Sequence, residues 1–273
     1  MKPVEQAWCF GLKSLSLLAV VSAVSLSEAV AATPRQLSSE AGGIEVAQQP
    51  DNSGSESIRE AAYRAFEEGE QLRQQGTAES LRQAITKYEE ATRLFRQAGD
   101  KRSEAVSLNN IGLVYDSLGE LQQALDYLNQ ALPILRAVGD RRGEASTLNN
   151  IGAVYNDLGE LQQALDYYNQ ALPILRVVGD RRFEAITLNT IGDVYDSLGE
   201  LQQALDYLNQ ALSIVRAVGD RAGEATILTN IGVIYSDLGE KQQALDYLNQ
   251  ALLLRRAVGD RRGEASTLNN IGA

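Results

Sequence analysis

Histidine is absent from the 273-residue chain, and cysteine, methionine and tryptophan each occur once. These single residues are Met1, Trp8 and Cys9, all at the amino-terminal end. Beyond them the chain has neither a thiol nor an imidazole, which excludes a Cys–His catalytic pair, the usual zinc sites and a disulfide bond. We therefore predict no catalytic residue, no metal site and no cofactor, and a protein that is not an enzyme.

Basic residues are also in the minority. The chain carries 25 Lys and Arg against 36 Asp and Glu, a formal net charge of −11. Binding to phosphate groups requires a basic surface, so this charge argues against nucleic acid and against anionic membrane surfaces as partners.

The first 32 residues differ in character from the rest of the chain. Lys2 and Lys13 flank the start of an apolar run over residues 15–26, and Ala29–Val30–Ala31 matches a small-residue cleavage pattern. This order is typical of a secretory signal peptide, and the run is shorter than the roughly 20 residues of a membrane-spanning helix. We expect residues 1–32 to be removed and the protein to be exported to the periplasm or the extracellular space, without membrane contact after cleavage. An uncleaved membrane anchor is the alternative.

Residues 33–57 are rich in Ser, Gln, Gly, Glu and Asn and show little periodic apolar content. A segment of this composition buries too little apolar surface to offset the entropy lost on ordering. We predict that it is a disordered linker between the signal peptide and the folded part.

The rest of the chain repeats with a period of forty residues. The stretch Leu148–Leu172 recurs almost unchanged forty residues earlier and forty residues later. A fixed period of this length is the mark of an array of stacked repeats. The folded part is predicted to span 58–273, with units at 58–100, 101–140, 141–180, 181–220 and 221–260 and a partial unit at 261–273.

The apolar spacing within each unit predicts two helices. In Leu148–Leu158, apolar residues recur at intervals of three and four, which places them on one face of a helix. Gly159 is predicted to end that helix in the left-handed conformation, and Asp180 to cap the start of the following unit. Pro133 and Pro173 lie inside second helices, and because the apolar spacing continues past them we expect a mild kink and not a break.

The residues that the copies share resemble the tetratricopeptide repeat (TPR) signature of small and large residues on two antiparallel helices. They are Gly112, Tyr115, Ala124, Gly152, Tyr155, Ala164, Gly192, Tyr195, Ala204, Gly232, Tyr235 and Ala244. The forty-residue unit, longer than the usual length of about 34, is similar to that of LGN/Pins-type scaffolds and kinesin light chains. The Gly–Asp–Arg–Arg–Gly–Glu–Ala linker is similar to that of long bacterial arrays that often precede a CHAT domain. The resemblance implies an all-α, right-handed α-solenoid of stacked antiparallel helix pairs and a non-catalytic scaffold for protein–protein interaction.

On a helical wheel, one side of each first helix lies opposite the apolar stripe, and in TPR proteins this side lines a concave groove. The residues that we assign to it as candidates for peptide binding are Asn109, Asn110, Asp116, Asn149, Asn150, Asn156, Asp157, Asn189, Asp193, Asp196, Asn230 and Asp237. A row of asparagines can pair with the backbone of an extended peptide, because each amide offers a donor and an acceptor. Alternatively, these amides bond to the neighbouring unit. The aspartates favour a protein or peptide partner with basic residues, and neutral drift on a solvated surface is the alternative explanation of their pattern.

We interpret the protein as a scaffold that binds a peptide or a partner helix in the TPR groove. Two other hypotheses stay open. One is a truncated regulatory array of a longer protein with a catalytic, CHAT-like C-terminal domain, since the sequence stops part-way through a first helix at Ala273. The other is a structural array that self-associates through an uncapped C-terminal end, where we expect Leu245, Leu248 and Leu252 to be only partly covered.

Overall fold

The computed structural model describes residues 52–272, so the predicted signal peptide and most of the predicted linker lie outside the described residues. Within 52–272 every regular element is an α-helix, and there is no strand. The helices are α1 (Asn52–Gln75), α2 (Ala78–Gln97), α3 (Lys101–Ser117), α4 (Leu121–Ala137), α5 (Arg141–Asp157), α6 (Leu161–Val178), α7 (Arg181–Ser197), α8 (Leu201–Val218), α9 (Arg221–Asp237), α10 (Lys241–Val258) and α11 (Arg261–Gly272).

Each odd-numbered helix up to α9 packs against the helix that follows it, and each even-numbered helix contacts the next odd-numbered one. In addition, α3 touches α5 and α7 touches α9, so first helices of neighbouring units adjoin one another. Contact restricted to neighbouring units is the organisation of a solenoid. The predicted all-α solenoid of paired helices is confirmed.

Glycines and aspartates set the helix boundaries, as predicted. Gly159, which follows α5, has a φ of 77°, a conformation that side chains with a Cβ rarely adopt. Gly179 has the same φ and ends α6. The carboxylate of Asp180 then accepts a hydrogen bond of 3.2 Å from the amide of Phe183, which satisfies one of the free donors at the start of α7.

The signature residues serve close packing. A Cβ on Gly112 would lie 2.7 Å from Cγ of Leu128 and 3.2 Å from the carbonyl oxygen of Ala124, so only glycine allows α3 and α4 to approach this closely. The helices α4 and α6 continue without interruption through Pro133 and Pro173. The prediction that neither proline breaks its helix is therefore confirmed.

A stacked pair of tyrosines joins the two helices of each of four units. The ring centroids are 5.3–5.4 Å apart and the ring planes are inclined by 10–19°. Such pairs contribute about 0.5–1.5 kcal/mol beyond the burial of their surface. The pairs are Tyr115–Tyr127, Tyr155–Tyr167, Tyr195–Tyr207 and Tyr235–Tyr247.

Two expectations from the sequence need correction. Helix α1 begins at Asn52, within the range 33–57 that was predicted to be a disordered linker. Once a helix is nucleated downstream, here with Ala62 and Phe66 buried, extending it by further polar residues costs little. At the other end, Leu248 and Leu252 are buried and only Leu245 is exposed, because α11 packs against α10.

No helix within residues 52–272 combines the length and the apolar character that crossing a lipid bilayer requires.

Candidate functional site

The predicted groove residues lie on one side of α3, α5, α7 and α9, which we call the first-helix face. The structure does not leave them equally accessible. Asp157 and Asp237 are exposed, whereas the other predicted residues are half-buried or buried. The buried ones are Asn110, Asn149, Asn150 and Asn189, each with 9% or less of its surface exposed.

The asparagines form hydrogen bonds between neighbouring units. Asn150 donates from Nδ2 to Oδ1 of Asn109, 3.1 Å away and one unit earlier. Asn230 donates in the same way to Oδ1 of Asn189, also at 3.1 Å. Asn110 of α3 donates to the carboxylate of Glu70 of α1 at 3.2 Å.

This result corrects the interpretation of the asparagine row as a free peptide-binding ladder. A helical wheel identifies the face that packs inside one unit, but a first helix in a stack also packs against the first helices on either side. Because Asn150 and Asn230 lie at that second contact, their amides bond to the neighbouring unit, which was the alternative considered. The role of these amides is therefore structural, because they hold adjacent first helices together.

The row is interrupted at Thr190, which occupies the position of Asn150 and Asn230. The hydroxyl of Thr190 bonds within its own helix to the carbonyl of Ile186, at 3.0 Å. Asn149, the residue one unit earlier that should accept from position 190, donates its Nδ2 to Thr187 at 2.9 Å. Its Oδ1 is buried and has no hydrogen-bond partner. The junction between α5 and α7 therefore lacks one bond that its neighbours have.

Asp193 belongs to the same inter-unit network. Its two carboxylate oxygens accept hydrogen bonds from Asn189, at 3.1 Å, and from Asn230, at 2.9 Å. Burial and the negative charge of Asp196 nevertheless raise the pKa of Asp193 to about 7, although the bond from Asn189 opposes the change. Asp193 thus titrates close to neutral pH.

Asp116 and Asp157 differ from Asp193 because no side chain of the described part of the protein bonds to them. Oδ1 of Asp116 is buried without a partner, and burial together with the charge of Asp157 raises the pKa of Asp116 to about 6. Asp157 is more accessible, and its partial burial also raises its pKa. The two carboxylates therefore carry negative charge that no cation within 52–272 compensates.

Tyr168 adjoins these carboxylates and was missed at the sequence level, where it was only one member of an apolar stripe. Its side chain is 2% exposed, and its ring packs on Gly152, where a Cβ would lie 2.7 Å from Cε1. Burial and then the charges of Asp157, Asp116 and Asp193 raise the pKa of its phenol. A signal was available, because α4 and α6 differ at only two positions and one of them places Tyr168 where α4 has Leu128.

Basic side chains are engaged elsewhere, at the turns between units. The buried carboxylate of Glu144 accepts from Arg136 of the preceding helix, at 2.9 Å, and from Arg141 of its own helix. Arg142 reaches forward to Asp180 of the next unit, at 2.9 Å. The Arg136–Glu144 ion pair therefore ties α4 to α5, and the Arg142–Asp180 pair ties α5 to the start of α7.

Residues 52–272 contain no group of three or more acidic, cysteine or histidine side chains arranged to hold a metal ion. No three carboxylates of the first-helix face are therefore close enough together to share one metal ion.

Comparisons with known proteins agree with this geometry. The profile of the tetratricopeptide repeat family matches residues 72–137, 143–217 and 198–257. No curated protein matches the chain in sequence.

Several solved structures share the fold. Aspartyl phosphate phosphatase F from Bacillus subtilis superposes with a TM-score of 0.71 at 16% identity, over 82% of this chain and 61% of that protein, so this chain spans less than two thirds of its length. A kinesin light chain-type protein of Podosopora anserina with nearly identical TPR-like repeats gives 0.60 at 16% identity, over 73% of this chain and 98% of that one. A Rap protein in complex with Competence and Sporulation Factor gives 0.64 at 18% identity, over 80% and 63%.

The family profile covers well over half of the sequence, and the paired helices, left-handed glycines and close glycine contacts are those that the TPR signature predicts. This chain belongs to the tetratricopeptide repeat family.

Proposed function

We propose that this protein is a non-catalytic scaffold that binds a peptide or a helix of a partner protein along its first-helix face. The observation that supports the proposal is the position of the differences between the repeat copies. The segment Gln122–Leu132 of α4 is identical in α8 and α10 and changes at one position in α6. The half-buried position of the first-helix face that follows the close-packed glycine is instead different in every copy: Leu113, Ala153, Asp193 and Val233.

This distribution favours a binding function. A surface that packs the units together needs the same residues in each unit, whereas a surface that recognises a partner protein needs different ones. The fold supports this proposal, since the Rap protein of similar fold was solved with Competence and Sporulation Factor bound. A preformed face held by bonds between units also reduces the ordering cost that binding must offset.

Site-specific photo-crosslinking tests the proposal. A photoreactive residue at Ala153 or Val233, on the first-helix face, is expected to capture one defined partner in the native cell. The same residue at Gln122 or Gln162, which are exposed on second helices, is the matched control and should not capture it. Equal capture from both helices, or capture from the second helices alone, would refute binding at this face.

A further inference from the structure

We propose that the first-helix face contains a subsite, formed by Tyr168, Asp116 and Asp157, that takes one basic side chain, arginine or lysine, of the bound peptide. We call it the Tyr168 subsite. This inference rests on the proposed function and specifies which chemistry the face recognises.

The hydroxyl of Tyr168 is the first indication. The side chain is 2% exposed and its ring packs against Gly152 of α5, whereas its hydroxyl is not one of the fully buried polar atoms of residues 52–272 and so reaches the surface of the first-helix face. It lies within electrostatic range of Asp116, Asp157 and Asp193, which places it at the carboxylates of the first-helix face. A phenolic hydroxyl at this surface can donate to or accept from a ligand, whereas the nearly identical helices α4, α8 and α10 have leucine at this position.

The first unit shows what a satisfied tyrosine looks like at the equivalent position. The hydroxyl of Tyr88 donates to the carboxylate of Glu70, which also accepts from Arg73 at 3.0 Å and from Asn110. In the unit of Tyr168 the residue at the position of Glu70 is Ala153, as counted from the close-packed glycines Gly69 and Gly152. A methyl group cannot reach the hydroxyl, so this tyrosine lacks the internal partner that Tyr88 has.

Asp116 supplies the second indication. One of its carboxylate oxygens is buried without a partner, and Asp157 on the adjoining helix adds a second negative charge nearby. Arg136 and Arg142 are bonded to other carboxylates, Glu144 and Asp180. An incoming cation would therefore remove a repulsion that the protein itself does not compensate.

The chemistry that fits is an extended organic cation. The described carboxylates do not converge as metal ligands do, whereas a guanidinium presents five donors in a planar fork and an ammonium presents three. Either group can donate to Asp116 and Asp157, and the oxygen of the Tyr168 phenol can accept a further bond. The planar fork of arginine matches carboxylates on two helices better than the compact ammonium of lysine does.

The test begins with selection of peptides from a random displayed library on the full chain. Peptides that bind are expected to share an arginine or lysine at one position, with arginine more frequent. In fluorescence anisotropy, replacing that residue by citrulline (for arginine) or norleucine (for lysine) should weaken binding by about tenfold, as expected for a hydrogen-bonded charge. The double variant Asp116→Asn with Asp157→Asn should lose the same factor and no longer distinguish the charged from the neutral peptide.

Stability separates this role from a structural one. Asp116→Asn removes an uncompensated buried charge, and Tyr168→Leu copies the residue of the neighbouring units, so both variants should unfold at an equal or higher temperature than the parent while binding more weakly. Asp126→Asn, an exposed aspartate on α4, is the matched control and should leave binding unchanged.

Two outcomes would overturn the inference in distinguishable ways. Peptides that bind the first-helix face without a basic residue, or that bind the double variant equally well, would exclude the Tyr168 subsite and leave the proposed function intact. If no selected peptide binds at the first-helix face, both the Tyr168 subsite and the proposed function fail.

Discussion

The substitution Thr190→Asn should restore the missing bond between α5 and α7 and stabilise the array. At the two intact junctions the donor and acceptor residues are 41 positions apart and 3.1 Å from each other, and Asn149 and Thr190 have the same separation in sequence. The amide of Asn149 would turn over so that its oxygen accepts from the new amide, as Oδ1 of Asn109 accepts from both Asn150 and Thr147.

The magnitude follows from what is gained and lost. A buried hydrogen bond contributes about 0.5–1.5 kcal/mol net, whereas the turned amide of Asn149 leaves its Nδ2 in the buried position that its Oδ1 now holds without a partner. The bond of Thr190 within its own helix is lost, but the carbonyl of Ile186 keeps its helical bond. We expect the free energy of unfolding to rise by about 1 kcal/mol, which corresponds to a rise in melting temperature of about 2–4 °C for a domain of this size.

The assay is urea denaturation followed by helical circular dichroism, arranged as a double-mutant cycle with Asn149→Ala. The gain should disappear in the Asn149→Ala background, because the acceptor is then missing. Thr190→Val, which removes the hydroxyl without adding an amide, is the control and should not stabilise. A gain of the same size without Asn149, or no gain at all, would refute the reasoning about the interrupted row.

Three further predictions concern other parts of the chain. Gly112→Ala should lower the free energy of unfolding by about 1–2 kcal/mol, because the clash with Leu128 and with a backbone carbonyl outweighs the gain in helix propensity of about 1 kcal/mol. Thermal melting measures this change, and a net stabilisation would contradict the prediction. The raised pKa of Asp193 means that its ionisation opposes folding, so its contribution to stability is fully present below about pH 4 and is lost as the pH rises through about 7. Asp193→Asn should therefore gain in stability relative to the parent over that pH range, and parallel pH profiles in denaturant titrations would argue against the raised pKa. Mass spectrometry of the protein from its native cell should show an amino terminus close to Thr33, whereas an intact Met1 would exclude cleavage of the predicted signal peptide.

Most of the fold could be predicted from the forty-residue period of the sequence. It placed the helices, the left-handed glycines and the capping aspartates correctly, because each of these depends on residues close together in sequence. The role of the asparagines could not be obtained in this way. Whether Asn150 faces solvent or the preceding unit depends on how neighbouring first helices adjoin, and a wheel for a single helix contains no such information.

The candidate site, too, could be predicted from the sequence only in part. The aspartates were recognised as acidic residues of the first-helix face, but the sequence does not reveal that Asp193 is already bonded to two amides while Asp116 is not. A functional role of Tyr168 was not predicted, because a tyrosine at a regular position of an apolar stripe is normally interpreted as a core residue. Its difference from Leu128 in an otherwise nearly identical helix was visible in the sequence and becomes informative once the structure places its hydroxyl beside the aspartates of the first-helix face.

The stacked tyrosine pairs also provide the protein with an internal optical reporter. Trp8 lies in the predicted signal peptide, so the emission of the processed protein would come from tyrosine alone. Each pair spans the two helices of a single unit, as Tyr155 and Tyr167 do, and it is lost when that helical hairpin opens but not when two intact units separate. Near-ultraviolet circular dichroism, which responds to coupling between adjacent rings, would therefore distinguish the opening of a hairpin from the parting of units without any added label.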